Sequence, residues 1–565
     1  MPAVQVKAFS LDQPDRTGTQ MLEALKVLGP ASEIPRKLVK ILTDYYLRYT
    51  ADGMPVFAGG SYFETDGHEP TEEQRGLDIV DSYGISITLS LATIGFIKVY
   101  RTTTERKDVL TAATALEEMA NTRLSAAMVG LLRSFSLSDF DVDSPRARNL
   151  VRTVNQGRLP ETHVIAELQR ELRQTTASFR EVLIGSGTDK AEQIDSPDTL
   201  YECGWSWGIV KDADIVDTTE AVGEQRNGVA EDAPYLYFTV VAMDAIEDLF
   251  SERTRILGLL NEEQQRLSRA LQLRSDLTRA YWGTVATFRR GAQWPLEDIP
   301  WRTTDGDESE YFTLQVTSLA LKDMANSRGS DADVIRVGAV LNELANRARI
   351  TRRPVSQDVA MKLHATGVKF PLVGSEVVGK TNLTWSVLEF APLLLQRLIG
   401  IAGMLSDARQ RSAVLEMADR IWDHLTERRL RTPAENLWDR PQGAFPMLVG
   451  DANDKPSWYY TERVVQALVV TANLLDRSPL RSDRMAATAA ELLNEADQIF
   501  DNELMRGSAG GGPVLQDRVK EIRVTLRRAR ESMADRPGTA AALSSHALIL
   551  LDDLAAGRQN ASEVD

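Results

Sequence analysis

The chain has 565 residues, 43% hydrophobic and 26% charged, an ordinary balance for a globular protein with enough length to bury a large core. Its 65 basic and 81 acidic residues give a net charge of −16, which argues against nucleic acid or an anionic membrane as the main partner, since both call for clustered Lys and Arg. Cys203 is the single cysteine, so an intramolecular disulfide and a cysteine zinc cluster are excluded, and a reducing cytoplasm is the simplest setting.

The first residues, "MPAVQVKAFSLDQPDR", lack the apolar core of a signal peptide, and 1–16 are expected to be flexible. Thr17–Thr50 reads as two helices split by "GPASEIP". The loop "PVFAGGSYFETDGHEP" follows and carries the densest polar cluster: Glu64, Asp66, His68 and Glu69. These could hold a hard cation or share a proton, but their spacing suits an exposed acidic turn better. Gly59 and Gly60 fit a tight turn or close backbone approach. "ISITLSLATIGFI" (Ile85–Ile97) is the longest apolar stretch and is too short to cross a bilayer. "LLLQRLIGIAGML" is interrupted by Gln396 and Arg397, so no membrane span is expected.

Helical spacing of apolar residues marks Leu110–Leu132, Tyr235–Leu260, Val334–Ala348, Leu388–Met404 and Met485–Phe500. Strand-like alternation is scarce, and the chain reads as mainly α. Several helices open alike: "DSYGISITLSLATIGF", "APYLYFTVVAMDAIEDL", "SEYFTLQVTSLALKDMA", "NLTWSVLEFAPLLLQRL" and "PSWYYTERVVQALVVTA". With Tyr83, Tyr235, Tyr311, Trp385 and Tyr459 as markers, the gaps are 152, 76, 74 and 74 residues. The pattern predicts helical hairpins of about 75 residues that must stack to bury their apolar faces, as a closed α/α toroid or an open solenoid. The repeat domain is expected over 17–506. "GSAGGGP" at 507–513 reads as a linker. A helical pair at 514–556 would close or flank the ring, and 557–565 form a disordered tail.

The loops between hairpins are rich in Trp, Gly, Pro and Asp. Trp205, Trp207, Trp294, Trp301, Trp438 and Trp458 lie in them or at a helix mouth, as does Tyr459. If the loops gather on one face, flat aromatic surfaces beside Asp66, His68, Asp212, Asp305 and Asp439 would suit sugars, isoprenoid-like chains or cations. The competing expectation is that the indoles wedge neighbouring hairpins together. "TDGDESE" (Thr304–Glu310) contains part of a calcium loop without its full ligand spacing and fits a solvated helix start better. "RRARES" (Arg527–Ser532) fits a solvated helix face. "GSEVVGKT" (Gly374–Thr381) matches the P-loop pattern. However, Glu376, Val377 and Val378 fill positions where a phosphate cradle favours small, uncharged residues, and a chance match in an inter-repeat loop is the better account. The five histidines show no zinc spacing, there is no nucleophile elbow, and Cys203 beside Trp205 fits a packed small residue. No cofactor and no metal is assigned.

The cadence of loop and aromatic helix, with "WDRPQGAFP" (Trp438–Pro446) and "GWSWGIV" (Gly204–Val210), resembles the α/α-toroid superfamily that includes terpenoid cyclases and six-hairpin glycosidases. The resemblance implies the fold. The D-x-D-D acid motif of the cyclases is absent. The expected function is a non-catalytic binding or scaffold protein whose loop face engages a partner protein or small molecule. The alternative is an enzyme acting on a carbohydrate or isoprenoid-like substrate, with Asp66, Asp212, Asp305 and Asp439 as the first acids to test. Nucleotide binding at Lys380 ranks last.

Overall fold

The computed structural model describes residues 30, 33–67, 69–176, 196–289, 291–327, 329–352, 358–431, 436–448, 455–474, 483–505, 513–534 and 536–562. The expected flexible N-terminus, the first of the two N-terminal helices, His68 and all of the linker but Pro513 lie outside them. The protein is mainly helical, as the periodicity predicts. It forms two compact units. One comprises Met1–Gly329, Asn346–Arg349 and Pro354–Phe390; the other comprises Ser330–Ala345, Ile350–Arg353 and Ala391–Asp565.

In the first unit, α1 (Ile34–Arg48) leads through the short pair β1 (Thr50–Ala51) and β2 (Met54–Pro55) to a helical hairpin, α2 (Val80–Arg101) and α3 (Lys107–Arg133). Strands β3 (Phe135–Asp141) and β4 (Thr199–Trp205) pair antiparallel from Phe135↔Trp205 to Asp141↔Thr199, with α4 (Pro145–Val154) and α5 (Glu161–Thr176) between them in sequence. Next come α6 (Leu236–Leu249), α7 (Glu262–Ala286), the pair β5 (Trp301–Arg302) and β6 (Glu308–Ser309), and α8 (Glu310–Ser327). A β-hairpin, β7 (Val368–Leu372) with β8 (Leu383–Val387), completes the unit. Helix α6 packs on both α2 and α8.

The β3–β4 pair escapes the sequence pattern for a physical reason. Every residue of β4 after Thr199 is buried, as are most of β3. With both faces covered, polar and apolar residues no longer alternate. The β8 strand also displaces an expected helix start: "NLTWSV" is extended, and the helix opens at Phe390.

The second unit holds most of α9 (Asp331–Arg347) and α10 (Phe390–Met404), then α11 (Ala408–Glu427), α12 (Trp458–Leu474), α13 (Asp483–Met505), α14 (Pro513–Ser532) and α15 (Pro537–Ser562). The C-terminal pair packs on α13, giving a three-helix bundle around Phe500, Ile522, Leu526 and Leu551. Helix α15 runs on to Ser562, so the expected tail is helical over its first residues. Arg527 and Arg530 project from α14, and Arg530 pairs with Asp497 of α13.

Helix α2 is long and apolar enough to cross a membrane, and 67% of its most apolar window is buried within the fold. Its hydroxyls are spent on protein partners. Arg123 of α3 donates to Ser86 at 3.0 Å, and Tyr46 of α1 donates to Ser90 at 3.2 Å. A core helix accounts for these contacts.

The repeat rests on a latch. The backbone N–H of Trp205 donates to Thr239 Oγ1 at 2.9 Å, that of Trp301 to Thr313 Oγ1 at 2.8 Å, and that of Trp438 to Thr461 Oγ1 at 3.0 Å. Each threonine closes a triplet: Tyr237-Phe238-Thr239, Tyr311-Phe312-Thr313 and Tyr459-Tyr460-Thr461. The threonines are 74 (239 to 313) and 148 (313 to 461) residues apart. The structural counterpart of Tyr311 is therefore Tyr237 rather than Tyr235. The periodicity places the marker two residues early, because Tyr235 and Tyr237 are both aromatic.

Thr239 and Thr313 are almost fully buried, so removing the hydroxyl orphans a buried N–H. Thr239→Val and Thr313→Val should each lower unfolding free energy by about 1–3 kcal/mol, while Thr→Ser should cost much less, as read by urea denaturation. A second expectation concerns the charges between α6, α2 and α8. Lys322 of α8 bonds Asp244 at 2.6 Å and Glu247 at 2.7 Å, and Thr88 of α2 donates to Asp248 at 2.7 Å. Burial pushes the Asp248 carboxyl up to about 6. The folded state then binds the proton more tightly than the unfolded one, so this group favours folding below about pH 4 and loses that contribution as pH rises through 6. Asp248→Asn should therefore gain stability relative to wild type at pH 7–8, by up to about 3 kcal/mol, and the gain should vanish near pH 4.

Candidate functional site

The structure does not gather the expected loop residues into one exposed aromatic face. Trp205, Trp207, Trp294, Trp301 and Trp438 are each 5% exposed or less, whereas Trp458 at the mouth of α12 is 65% exposed. Trp205 Nε1 donates to the Leu131 carbonyl at 2.9 Å, Trp207 Nε1 to Val373 at 2.9 Å, and Trp438 Nε1 to Leu425 at 2.8 Å. These indoles are packing wedges, and burying a large apolar ring with its N–H satisfied is what makes them good ones. Tyr459 is half-buried with the Arg463 guanidinium 5.2 Å from its ring centre.

The acids differ in their surroundings. Asp66 is exposed. Asp212 sits at φ 60° and exchanges hydrogen bonds with Asn227. Asp305 occupies the exposed turn between β5 and β6, 3.9 Å from Arg146. "TDGDESE" is thus mostly a strand turn rather than a helix start. Asp439 holds the fully buried guanidinium of Arg428 at 2.7 Å, and that guanidinium stacks 4.3 Å from the Tyr460 ring centre. Cys203 is completely buried, and burial pushes its thiol up, away from the reactive thiolate.

The P-loop match is corrected by its surroundings. A working phosphate loop opens directly into a helix, whereas Thr381 leads into β8. The carboxylate of Glu376 accepts the Gly374 N–H at 2.8 Å, and the Gln74 side chain donates to the Thr381 carbonyl at 2.9 Å. A Cβ on Gly379 would stand 2.1 Å from Gln74 Nε2. The loop is the connection of a β-hairpin, with the Gln74 side chain packed against Gly379.

A different cluster stands out in the first unit. The polar loop at 57–67 turns at Gly59, where a Cβ would overlap the Phe63 ring at 2.4 Å. An isolated bridge, Glu64↔Thr384, then ties the loop to β8. Glu64 also pairs with Lys369 of β7. This brings Tyr62 and Phe63 against Trp385, with ring centres 6.3 and 5.9 Å away. From α6, Tyr237 and Phe238 lie 6.5 and 5.9 Å from the same indole. Tyr237 donates its hydroxyl to Asp81 Oδ1 at 2.6 Å, a short charge-assisted bond. Asp81 is 5% exposed, Trp385 3% and Tyr62 47%. Trp385 Nε1 has no hydrogen-bond partner.

Two further tyrosines at helix mouths also meet carboxylates. Tyr83 donates to Asp78 at 3.0 Å, and Tyr311 donates to Glu389. Burial raises the Asp78 carboxyl above its usual range, against the hydrogen bond from Tyr83. Sequence reasoning selects Tyr83, Tyr311 and Trp385 only as repeat markers, and it misses Tyr237 and Asp81 altogether. The recurring Tyr-Phe/Tyr-Thr triplet is the signal that finds Tyr237. No local signal finds Asp81, whose partner lies 156 residues away.

Among the expected acids, Asp439 alone should matter for stability. Breaking a buried ion pair leaves an uncompensated charge and costs roughly 3–5 kcal/mol, so Asp439→Ala should shift the denaturation midpoint of the second unit strongly. Asp66→Ala and Asp212→Ala should stay within about 0.5 kcal/mol of wild type.

No curated protein and no solved structure matches this chain. A family model described as SCO2524-like matches residues 1–562. The protein therefore belongs to the SCO2524-like family.

Proposed function

We propose that the protein is a non-catalytic binding protein for a small molecule, received where Tyr62, Trp385, Tyr237 and Asp81 meet. The architecture we infer for it is the α/α toroid, supported by the 74-residue spacing of the latch threonines.

One observation carries the functional proposal. Trp205, Trp207, Trp282 and Trp438 all spend their indole N–H on a backbone carbonyl, and Trp385, equally buried, does not. A buried donor without an acceptor is costly, which favours a ligand acceptor at that atom. Beside it are the half-exposed ring of Tyr62 and the buried Asp81–Tyr237 pair. An aromatic wall next to a carboxylate suits neutral polar molecules and organic cations and disfavours anions. The net charge of −16 steers in the same direction.

An enzyme is the second reading. Asp78 and Asp81 flank the start of α2, and a carboxyl raised by burial is what a general acid requires.

The test is Trp385→Phe, which keeps the ring and removes only the N–H. Thermal-shift and calorimetric titrations with monosaccharides, polyols and organic ammonium ions should find a ligand that stabilises the wild type. The variant should fold with unchanged or higher stability and bind roughly fivefold to tenfold more weakly, the equivalent of about 1 kcal/mol. Unchanged binding by Trp385→Phe would sink the proposal, and product formation in any mixture would favour the enzyme.

A further inference from the structure

Helix α14 is basic in an acidic protein. It exposes Arg518, Lys520, Arg523, Arg527, Arg528 and Arg530 against three exposed acids, Asp517, Glu521 and Glu531, while the whole chain carries a net charge of −16. Four of the cations form a line. Lys520, Arg523, Arg527 and Arg530 follow one another at steps of three, four and three residues, the spacing that keeps side chains on one face of a helix. The line spans about 15 Å, close to two turns of helix. Each of its members comes one residue after a core residue of the three-helix bundle: Val519, Ile522, Leu526 and Ala529. Packing of the bundle therefore fixes where the line of charge sits.

The neighbours of the line show what it takes. Arg530 donates from Nε and Nη2 to the two oxygens of Asp497 of α13, at 3.2 and 2.6 Å, the fork by which arginine holds a carboxylate. Arg523 lies over Phe500 of α13, its guanidinium 6.0 Å from the ring centre, with the stem on apolar surface and the charge outward. Arg527 meets Glu531 at 3.9 Å with both side chains exposed. An exposed pair of this kind is worth little, so the Arg527 charge stays open to a competitor. Folding does not call for such a line. Uncharged or alternating helix formers serve exposed positions equally well, and like charges one turn apart destabilise the helix that carries them.

We propose that Lys520, Arg523, Arg527 and Arg530 form a docking surface for an acidic helix of a partner protein, with carboxylates at the same steps. Steps of three, four and three read alike in both directions, so a parallel and an antiparallel partner both match. The surroundings favour a polypeptide over other polyanions. Helix α13 exposes Glu491, Glu495 and Asp501, and α15 exposes Asp552 and Asp553. A nucleic-acid backbone or an anionic lipid surface presents continuous negative charge and meets repulsion from these acids. One helix presents its carboxylates as a narrow stripe. This surface goes beyond the small-molecule site of the first unit and does not depend on it.

The test uses the full chain and two double variants that change net charge equally: Arg523→Glu/Arg527→Glu on the line and Arg518→Glu/Arg528→Glu off it. All four side chains are exposed. Circular dichroism and thermal unfolding report the fold, and Arg523→Gln/Arg527→Gln takes the place of the first variant if charge reversal unfolds the bundle. The probe is a synthetic alanine-based helix with glutamates at the matching steps, followed by fluorescence anisotropy. A scrambled peptide of the same composition, a short DNA duplex and phosphatidylserine vesicles are measured beside it, and light scattering gives the oligomeric state. The spaced peptide should bind the wild type at low ionic strength and weaken as salt is added. Its affinity should fall about tenfold in the variant on the line, and much less in the variant off it. Absence of binding, equal binding of the scrambled peptide, or equal loss in both variants would overturn the proposal. So would tighter binding of the duplex or the vesicles through the same residues, or self-association of the wild type that the variant on the line abolishes, since a different occupant would then hold the surface.

Discussion

A threonine hydroxyl that accepts the backbone N–H of a tryptophan is the contact on which the repeat depends. It solves two problems at once. The incoming loop strand has a buried amide that needs an acceptor, and the helix mouth has a hydroxyl that would otherwise be orphaned. Thr461 shows the closure fully: it accepts from the Trp438 N–H and donates to the Trp438 carbonyl, each at 3.0 Å. Once the backbone is fixed, the indole has one place to go, into the seam between hairpins. There its Nε1 meets a carbonyl at the end of a preceding helix, Leu131 of α3 for Trp205 and Leu425 of α11 for Trp438. Each of these carbonyls also accepts the N–H of its helix's C-cap residue, Ser134 at 3.3 Å and Arg428 at 3.1 Å, so the indole adds a second donor at the helix end.

Around these latches several buried charges are compensated by more than one partner. Arg123 spends its guanidinium on Ser86 and on the carbonyls of Tyr49 and Val56, and stacks on Phe57. That arrangement fixes the β1–β2 loop to α3. Arg428 does the same for the second unit through Asp439 and Tyr460. Glu202 is held by Arg146 and Thr304, and burial raises its carboxyl in spite of both. Such groups add little net stability over apolar residues of the same shape, but they specify geometry, because a half-satisfied network is worse than none. Compensation is not complete, however: Ser136 Oγ, Arg274 Nε and Tyr281 Oη are buried without hydrogen-bond partners, as are the Gln315 amide and the Trp385 indole N–H.

Much of this architecture can be read along the chain, and what cannot has definite causes. The helices at Leu110–Leu132, Val334–Ala348 and Met485–Phe500 emerge from apolar periodicity because each buries one face against neighbours. The strands β3 and β4 do not, since burial on both faces erases alternation. Tryptophan in a loop is legible as a residue that matters, yet its role depends on whether the ring meets protein or solvent, which only the fold decides. The acids mislead for a related reason. Asp66, Asp212 and Asp305 stand out in sequence because polar loops surround them, and that is also why they lie on the surface. Asp81, Glu389 and Gln315 are buried among apolar residues and sit in stretches that read as core. Polar residues inside an apolar helix pattern are the better signal, and "EYFTLQVTSL" contains one.

The exception in the latch series explains why an indole donor is left at Trp385. At the 74-residue spacing the tyrosine positions are 237, 311, 385 and 459, and the threonine positions are 239, 313, 387 and 461. In one unit these residues are Trp385 and Val387. Valine offers no hydroxyl, so the latch cannot form there. The β7–β8 ladder supplies the backbone pairing instead, with Val387 opposite Val368 and Trp385 opposite Phe370. A strand places its side chains on alternate faces, and Trp385 is thereby turned onto the mouth of α6, against Tyr237, Phe238 and Tyr62. No helix end meets its Nε1. The repeat that gives up the latch is thus the one that retains an indole donor, and it is on this donor that the proposed binding site rests.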